Sequence, residues 1–239
     1  MGDELDGPRG RIYLIKNLLE SGEVTEPLLT HLDRCLTCKS CETTCPSGVE
    51  YGQLLDIGRE LAAPEYEERG SDIRVWLMTR LLPLPAVNRF LFRLGRWFRF
   101  LLPARQAAMI PSRNVTVAKV ENQQTAGKRL LLLQGCVQQG ATPQVVKALE
   151  AILKAQGDQP QMDSTEGCCG ALEFHLHEQE RGRARARAMI DLYHDRLVSG
   201  EITLLVSTAS GCGVMIRDYV QLLQDDERSE EHTSELQSP

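Results

Sequence analysis

Four cysteines within eleven residues constrain this chain more than any other feature of its sequence. They are Cys35, Cys38, Cys41 and Cys45, and Pro46 follows the last of them. The chain has eight cysteines in 239 residues, and its polar start lacks the pattern of a secretory signal. Because cytosolic thiols are kept reduced, we expect metal or redox chemistry rather than a disulfide scaffold.

The spacing of these cysteines matches CxxCxxCxxxCP, the iron–sulfur run of bacterial ferredoxins. In that run three thiolates bind one cubane, and in two-cluster ferredoxins the fourth cysteine binds the other cluster. We therefore expect Cys35, Cys38 and Cys41 to bind one 4Fe–4S cluster and Cys45 to help bind a second. No second run occurs in the sequence, so we expect one upstream in the natural protein. Structural zinc and unligated thiols are the alternatives, although zinc usually takes CxxC pairs set a dozen or more residues apart.

The other four cysteines lie where predicted strands and helices alternate, which favours a parallel sheet. Cys136 follows a predicted strand at 130–133, Cys168-Cys169 lies between glycines, and Cys212 follows a predicted strand at 202–207. Since ligands of open α/β sheets bind beyond the carboxyl ends of strands, we expect these thiols to converge at one edge. The small residues beside them allow close approach of backbone to a bulky cluster. Buried structural cysteines and a zinc site are the alternatives.

Apolar periodicity predicts helices at 11–21, 27–32, 51–62, 143–156, 179–198 and 214–223. On the first helix the expected inward residues are Ile12, Ile15, Leu18 and Leu19. On the helix at 179–198 they are Ala184, Ala188, Ile190 and Leu192. Of the histidines, His31 is interpreted as a surface or packing residue, and His175 and His177 as making polar contacts at a helix start.

The segment 73–120 has nine basic residues and no acidic one, together with both tryptophans and four of the five phenylalanines. Prolines divide it into predicted short helices and an extended linker. We interpret it as a packed connector with solvated arginines. Docking to a partner subunit and to an anionic membrane surface are the alternatives.

Several stretches together carry a resemblance to a known family. The pattern around Cys136, GCCG and Cys212 resembles the cysteine-rich CCG module of heterodisulfide reductase-related oxidoreductases, except that Ala209 replaces the first cysteine of the closing CxxC. With GDELDGPRGRIYLIKNLLESG, RCLTCKSCETTCPSGVEYGQLLDIGRE, GCCGALEFHL and ASGCGVMIRDY, the chain resembles the iron–sulfur subunits of glycolate oxidase (glycolate dehydrogenase).

The resemblance implies an α+β chain in which a helical ferredoxin-like 4Fe–4S region precedes an α/β CCG module with a small parallel sheet. The expected domains are 1–66 for the iron–sulfur region, 67–127 for the basic connector and 128–227 for the first CCG module. The last residues, 228–239, are interpreted as translated sequencing-adapter sequence. Cofactor ligands are expected at Cys35, Cys38, Cys41, Cys45, Cys136, Cys168, Cys169 and Cys212, with a further iron–sulfur cluster or zinc at the CCG module.

The function implied is electron transfer from a separate FAD subunit that oxidises glycolate, in a complex with other subunits. No catalytic residue is expected on this chain, because no hydrolytic or acid–base set stands out. The alternatives are another CCG-type oxidoreductase, serving lactate, glycerol-3-phosphate or heterodisulfide, and a zinc-stabilised interaction module. The net charge of −6 argues against nucleic acid. The expected location is cytoplasmic, with peripheral association at the inner face of the cell membrane as a further option.

Overall fold

The computed structural model describes residues 3–68, 73–110, 127–163 and 165–224. Contacts divide the chain into two units. The first comprises the described residues up to Val75 together with His175–Gln179, and the second those of Trp76–Phe174 and from Glu180 onward. The described chain is mostly helical, with one small parallel sheet. The expected linker after residue 110 and the expected adapter sequence at 228–239 lie outside the described residues.

The first unit is built from helices that begin and end at identifiable signals. A 3₁₀ turn at Glu4–Asp6 is capped by the Asp3 carboxylate, and Gly22, in the left-handed conformation, ends the first helix. Thr25 caps the second helix through its hydroxyl, which accepts from Leu28 N at 3.4 Å. The four helices are α1 (Pro8–Ser21), α2 (Glu26–Asp33), α3 (Ser40–Thr43) and α4 (Tyr51–Glu68).

The apolar core of this unit joins α1, α2 and α4. Of the residues expected to face inward on α1, Ile15 and Leu18 are buried, whereas Leu19 is 55% exposed. Leu14 takes the inward place instead, because the helix is turned by about one residue from the predicted face. The core residues are Leu14, Ile15, Leu18, Leu28, Leu29, Leu32, Tyr51, Leu55 and Ala62.

The second unit contains the predicted parallel sheet. Its strands are β1 (Arg129–Leu133), β2 (Gln159–Met162) and β3 (Leu204–Ser207), in the order β2-β1-β3. In the register Leu132 pairs with Met162 on one side and with Val206 on the other. The sequence pattern predicted β1 and β3 but missed β2, whose QPQM sequence is polar and mostly exposed. The central strand is the apolar one, as expected for a strand covered on both faces.

In the described part of the chain, six helices lie between and after the strands. Their bounds are α8 (Gln138–Ala141), α9 (Pro143–Ala155), α10 (Ala171–His175), α11 (Gln179–Val198), α12 (Ser210–Arg217) and α13 (Tyr219–Leu222). The predicted helix at 214–223 is in fact the pair α12 and α13, and α12 begins early enough to place Cys212 in its first turn.

The inward face of α11 also differs from the prediction. Ala184 and Ala188 are exposed, whereas Ala186, Met189 and Tyr193 are buried. The two further expected residues do lie inward: Ile190 is buried, and Leu192 packs against the core in part. Arginines alternate with alanines along this helix, so the alanine positions alone do not identify its buried face.

The basic segment forms short helices, as its prolines predict. They are α5 (Ile73–Leu81), α6 (Pro85–Trp97) and α7 (Ala104–Met109), with a 3₁₀ turn at Arg99–Leu101. In the parts of the chain described, none of the helices combines the length and apolar character that crossing a membrane requires.

The close approach of α6 and α8 depends on Gly140. A Cβ added at this glycine would lie 2.8 Å from both the carbonyl of Asn88 and the ring of Phe92. We expect Gly140→Ala to destabilise the fold by roughly 1–3 kcal/mol, because backbone must move to admit the methyl group. Thermal unfolding followed by circular dichroism measures the effect. The matched control is Gly213→Ala on α12, where a Cβ has no neighbour within 4 Å. Equal midpoints for the two variants would contradict the packing argument.

Candidate metal centre

The first cysteine loop runs from the end of α2 to the start of α4. Two residues between its cysteines, Thr37 and Lys39, have left-handed backbone conformations with φ of 52° and 53°. These turns fold the loop tightly, and α3 then carries Cys41. Cys38 is exposed, whereas the other three thiols of the loop are partly buried. The CxxCxxC spacing therefore folds as a compact loop rather than as part of a long helix.

The guanidinium of Arg59, on α4, anchors the start of this loop. Arg59 is 3% exposed and donates to the carbonyls of Leu32 at 2.9 Å and Cys35 at 3.1 Å. It also donates to the Thr37 hydroxyl at 3.1 Å. Sequence reasoning missed Arg59, because an arginine on an amphipathic helix is normally solvent-facing. Its buried positive charge lies next to a group of thiols that become negative when they bind a metal.

Hydrogen bonds to sulfur favour the thiolate form at two positions of the loop. The backbone N–H of Ser40 lowers the pKa of Cys38, and those of Val49 and Ser47 lower the pKa of Cys45. Thiolates are the form that ligates iron, and N–H···S hydrogen bonds tune iron–sulfur centres. The donor set of this loop therefore fits an iron–sulfur cluster.

The two partly buried thiols nearer the core differ from Cys38 and Cys45. Burial raises the pKa of Cys41. Cys35 accepts a hydrogen bond from the Tyr51 hydroxyl at 3.4 Å. Burial, and then this bond, raise the pKa of Tyr51, so the phenol remains a proton donor toward Cys35.

The second group of cysteines gathers at the carboxyl edge of the sheet. Cys136 follows β1 through Gly135, whose φ of 67° lets the chain turn sharply after the strand. The Cys136 and Cys168 sulfurs lie 3.6 Å apart. A Cβ on Gly135 would lie 3.5 Å from the Cys212 sulfur, so α12 places that thiol beside the same turn. The structure thus brings together thiols that lie more than 70 residues apart in sequence.

Hydrogen bonds join these four thiols in a row. A hydrogen bond from Cys136 lowers the pKa of Cys168 and raises that of Cys136. Cys169 donates to both Cys168 and Cys212, which raises the pKa of Cys169 and lowers that of Cys212. The four sulfurs thus belong to one hydrogen-bonded row, and thiols of such a row lose their protons when they bind a metal.

Ala209 lies beside the same turn. Its Cβ would be 3.6 Å from a Cβ at Gly135. The position that carries the first cysteine of CxxC in the full motif is thus at the site but presents a methyl group. A fifth sulfur ligand from that position is absent from this chain.

Glu166 connects the two loops that carry Cys136 and Cys168. Its carboxylate accepts from the backbone N–H of Gln134 at 2.7 Å and of Gly135 at 2.8 Å, and the residue is 8% exposed. Burial raises its pKa, against the opposing effect of these two N–H groups. Sequence reasoning gave Glu166 no role, although an acid directly before GCCG was a visible signal.

A second buried carboxylate lies against the thiols. Glu173 is fully buried, with one oxygen 3.9 Å from the Cys168 sulfur and the other accepting from Arg185 Nε at 3.2 Å. Burial raises its pKa, and negative charge on Cys168 acts in the same direction. The hydroxyl of Tyr219 closes the other side by donating to the Cys169 carbonyl at 2.8 Å. The thiols thus lie among buried polar groups rather than open solvent.

The three histidines singled out from the sequence, His31, His175 and His177, belong to the first unit. His31 is a buried packing residue, with Nδ1 2.7 Å from Asp6 and Nε2 3.5 Å from Asp3. His177 lies in the turn after α10, two residues before α11 begins. Its ring stacks on Tyr66 at 3.6 Å and its Nε2 lies 2.9 Å from Asp33.

Asp3, Asp6 and His31 are the one group of three potential metal ligands within 4.8 Å of each other among the described residues. Arg11 and Arg34 already pair with Asp6, so an added cation would meet like charge. This cluster is better explained as a polar anchor of the N-terminal turn.

Comparison with known proteins agrees with the thiol-rich edge of the sheet. Residues 130–217 match the family model described as "Cysteine-rich domain", CCG. This segment is a CCG cysteine-rich domain.

The chain as a whole is similar to named iron–sulfur subunits. It is 43% identical over 228 residues to the "Glycolate oxidase iron-sulfur subunit" of Escherichia coli (strain K12), a match that covers 95% of this chain and 55% of that protein. It is 27% identical over 250 residues to the "Probable glycolate oxidase iron-sulfur subunit" of Bacillus subtilis (strain 168), covering 93% and 55%. The chain thus spans about half the length of these relatives. No solved structure is significantly similar. The resemblance predicted from the sequence is confirmed.

The carboxylate of Glu166 gives the CCG domain a direct test. We expect Glu166→Gln to destabilise the chain by about 1–3 kcal/mol, because the amide NH₂ cannot accept from Gln134 or Gly135 and leaves a buried N–H unpaired. Urea unfolding measures the loss. Glu180→Gln, on the exposed start of α11, is the control and should lie close to wild type. If both variants unfold at the same urea concentration, Glu166 does not hold the two loops together.

Acidification should destabilise the first unit through His175. Burial lowers the pKa of His175 from 6.5 to about 4. The unfolded chain therefore binds the extra proton first, and stability falls as the pH drops from about 6.5 to about 4, by up to roughly 3 kcal/mol. The free energy of unfolding, measured across this window for wild type and His175→Gln, should fall less steeply in the variant. Parallel curves would show that His175 stays neutral in both states or charged in both.

Proposed function

We propose that this chain is an electron-transfer component of a glycolate oxidase-type complex. In this proposal Cys35, Cys38 and Cys41 hold one 4Fe–4S cluster, and Cys45 contributes to a second. Such clusters supply one-electron transfer when bound. The observation that carries the proposal is the compact folding of the CxxCxxCxxxCP run, with left-handed turns at Thr37 and Lys39 and a hydrogen bond from the Tyr51 hydroxyl to the Cys35 sulfur. The relatives named as glycolate oxidase iron–sulfur subunits support it independently.

In this proposal, two residues around the first loop hold its thiols and backbone in position and supply positive charge. Tyr51 donates to the Cys35 sulfur and holds it in place. Arg59 fixes the backbone at Leu32 and Cys35, and its positive charge offsets part of the negative charge of a thiolate-bound cluster. Residues 1–66 then form a helical ferredoxin-like region, with 67–127 as connector and 128–227 as the first CCG module.

In the same proposal a separate FAD subunit oxidises glycolate, and its electrons pass through this chain to a downstream acceptor. The thiols of the CCG domain lie further along the path, with Cys136, Cys168, Cys169 and Cys212 as ligands of a further iron–sulfur cluster or of zinc. No catalytic residue is assigned to this chain. The proposed location is cytoplasmic, with peripheral association at the inner face of the cell membrane.

Experiments can distinguish two alternative functions from electron transfer in a glycolate oxidase-type complex. A CCG-type subunit serving lactate, glycerol-3-phosphate or heterodisulfide differs in its flavin partner and its reductant. A zinc-stabilised interaction module requires thiols gathered around one ion, where Zn–S bonds of 2.3 Å place sulfurs about 3.8 Å apart. Among the described residues no three cysteine sulfurs lie within 4.8 Å of one another. The metal content of the reconstituted protein separates this alternative from an iron–sulfur cluster.

The deciding measurement is the iron and acid-labile sulfide content of anaerobically reconstituted protein, with EPR spectra before and after dithionite. We expect iron and sulfide in near-equal amounts and a signal that appears on reduction. Addition of a flavin subunit with glycolate should produce the same signal without dithionite. Zinc without labile sulfide would overturn the proposal, and reduction by lactate but not glycolate would favour the first alternative.

Cysteine variants separate the two proposed clusters. In the full-length protein, Cys38→Ser should abolish or shift one reducible signal, because it removes a ligand of the first cluster. Cys45→Ser should perturb a different signal. Cys212→Ser, in the CCG domain, is the control and should leave both signals unchanged. Loss of the same signal in Cys38→Ser and Cys45→Ser would contradict the assignment of Cys45 to a second cluster.

A further inference from the structure

Helix α6 is amphipathic, but its apolar face is exposed, whereas a helix that packs on a core buries this face. Its outward face carries Phe90, Leu94 and Trp97 at i, i+4 and i+7, and the exposed fractions of Phe90 and Trp97 are 63% and 77%. A helix that packs on a core normally buries this stripe. The interpretation of a packed connector does not account for this face.

The inward face of α6 is instead held by polar groups. Asn88 is fully buried, and its amide donates to the carbonyls of Leu82 and, at 3.2 Å, Cys136. Arg96 donates to the carbonyls of Gly140 at 2.8 Å and Ala141 at 2.9 Å. These bonds fix the orientation of the helix, so its apolar face cannot rotate inward without losing them.

The exposed apolar surface continues beyond α6. Trp76 lies before it, and the turn that follows it adds Phe98, Phe100 and Leu101, of which Phe100 is 78% exposed. We call this surface, from Trp76 to Leu101, the aromatic face. All of it belongs to the second unit.

The charge around the aromatic face has one sign. Residues 76–110 contain six arginines and no acidic residue, although the whole chain has a net charge of −6. Arg93 and Arg99 are exposed next to the aromatic side chains. This segment thus combines positive charge that no acidic residue of its own offsets with exposed tryptophan and phenylalanine side chains.

We propose that the aromatic face docks on an anionic lipid surface, with α6 lying in the plane of the interface. Tryptophan and phenylalanine on one face, flanked by arginine, are the features of helices that bury about 5–10 Å into the headgroup region. The arginines pair with lipid phosphates while their stems lie on the apolar boundary. A protein partner is the less favoured occupant, because charge of one sign flanks the whole face. The proposal rests on the peripheral membrane association of the proposed function, to which it assigns a surface, and it is independent of the clusters.

Vesicle sedimentation tests the proposal with the full chain. We expect the protein to sediment with vesicles of phosphatidylcholine and phosphatidylglycerol, to remain in the supernatant with phosphatidylcholine alone, and to dissociate as salt is raised. Equal binding to both kinds of vesicle, or to neither, would overturn the proposal.

Two pairs of substitutions locate the surface. Phe90→Gln with Leu94→Gln should abolish sedimentation, and Arg93→Gln with Arg99→Gln should weaken it by about tenfold or more. The matched controls are Leu19→Gln and Arg9→Gln on α1, which remove an exposed leucine and an exposed arginine from the first unit. Binding that survives the α6 substitutions, or is lost with the α1 controls, would show that the aromatic face is not the docking surface.

Tryptophan quenching provides a readout that requires only one conservative aromatic substitution in the face. In Trp76→Phe the remaining tryptophan is Trp97, which brominated acyl chains should quench in anionic vesicles. Unquenched fluorescence in sedimented protein, or a partner subunit that shields Trp97 from quencher before lipid is added, would overturn the proposal. A measurement of iron content has no bearing on this result, so failure here leaves the electron-transfer proposal in place.

Discussion

Two hydrogen bonds from backbone N–H groups to one buried carboxylate hold the thiol-rich edge of the sheet together. Glu166 precedes the CCG loop, and its oxygens accept from Gln134 and Gly135 at the end of β1. Parallel pairing places β1 next to β3, and the turn at Gly135 brings Cys136 toward Cys168. Without an acceptor there, the buried N–H of Gly135 and the partly buried N–H of Gln134 would lose their partner, at a cost of about 1–3 kcal/mol for a buried group. The parallel sheet places the thiols at one edge, and the Glu166 carboxylate holds together the loops that carry Cys136 and Cys168.

Much of this edge could be predicted from the sequence because topology alone determines it. Cysteines that follow strands of a parallel sheet must lie at its carboxyl edge, whatever the details of packing. Glu166 and Arg59 escaped prediction for the opposite reason. Their roles depend on which backbone groups are left without partners after folding, and no local pattern records that. Strand β2 was missed because it is a polar edge strand, where burial does not impose an apolar sequence.

The buried faces of α1 and α11 were also predicted incorrectly in part, and the two errors have one cause. On α1 the apolar residues outnumber the positions that face the core, so Leu14 and Leu19 compete for the same role and only packing decides between them. On α11 the alternation of arginine and alanine left Ala186 indistinguishable from Ala184. Helical periodicity identifies a buried face only where one side is clearly more apolar than the other.

On α6 that condition is met, and the apolar side nevertheless faces outward. The reason lies in what the inner side must do. Asn88 reaches the Cys136 carbonyl, and Arg96 reaches two carbonyls of α8, so the inner face supplies donors to a backbone that the thiol loop leaves without partners. Apolar side chains could not make these bonds. The apolar residues therefore occupy the remaining side of the helix, where burial must come from outside the chain. The same helix thus supports the cysteine edge with one face and, in the proposal made above, meets an anionic lipid surface with the other.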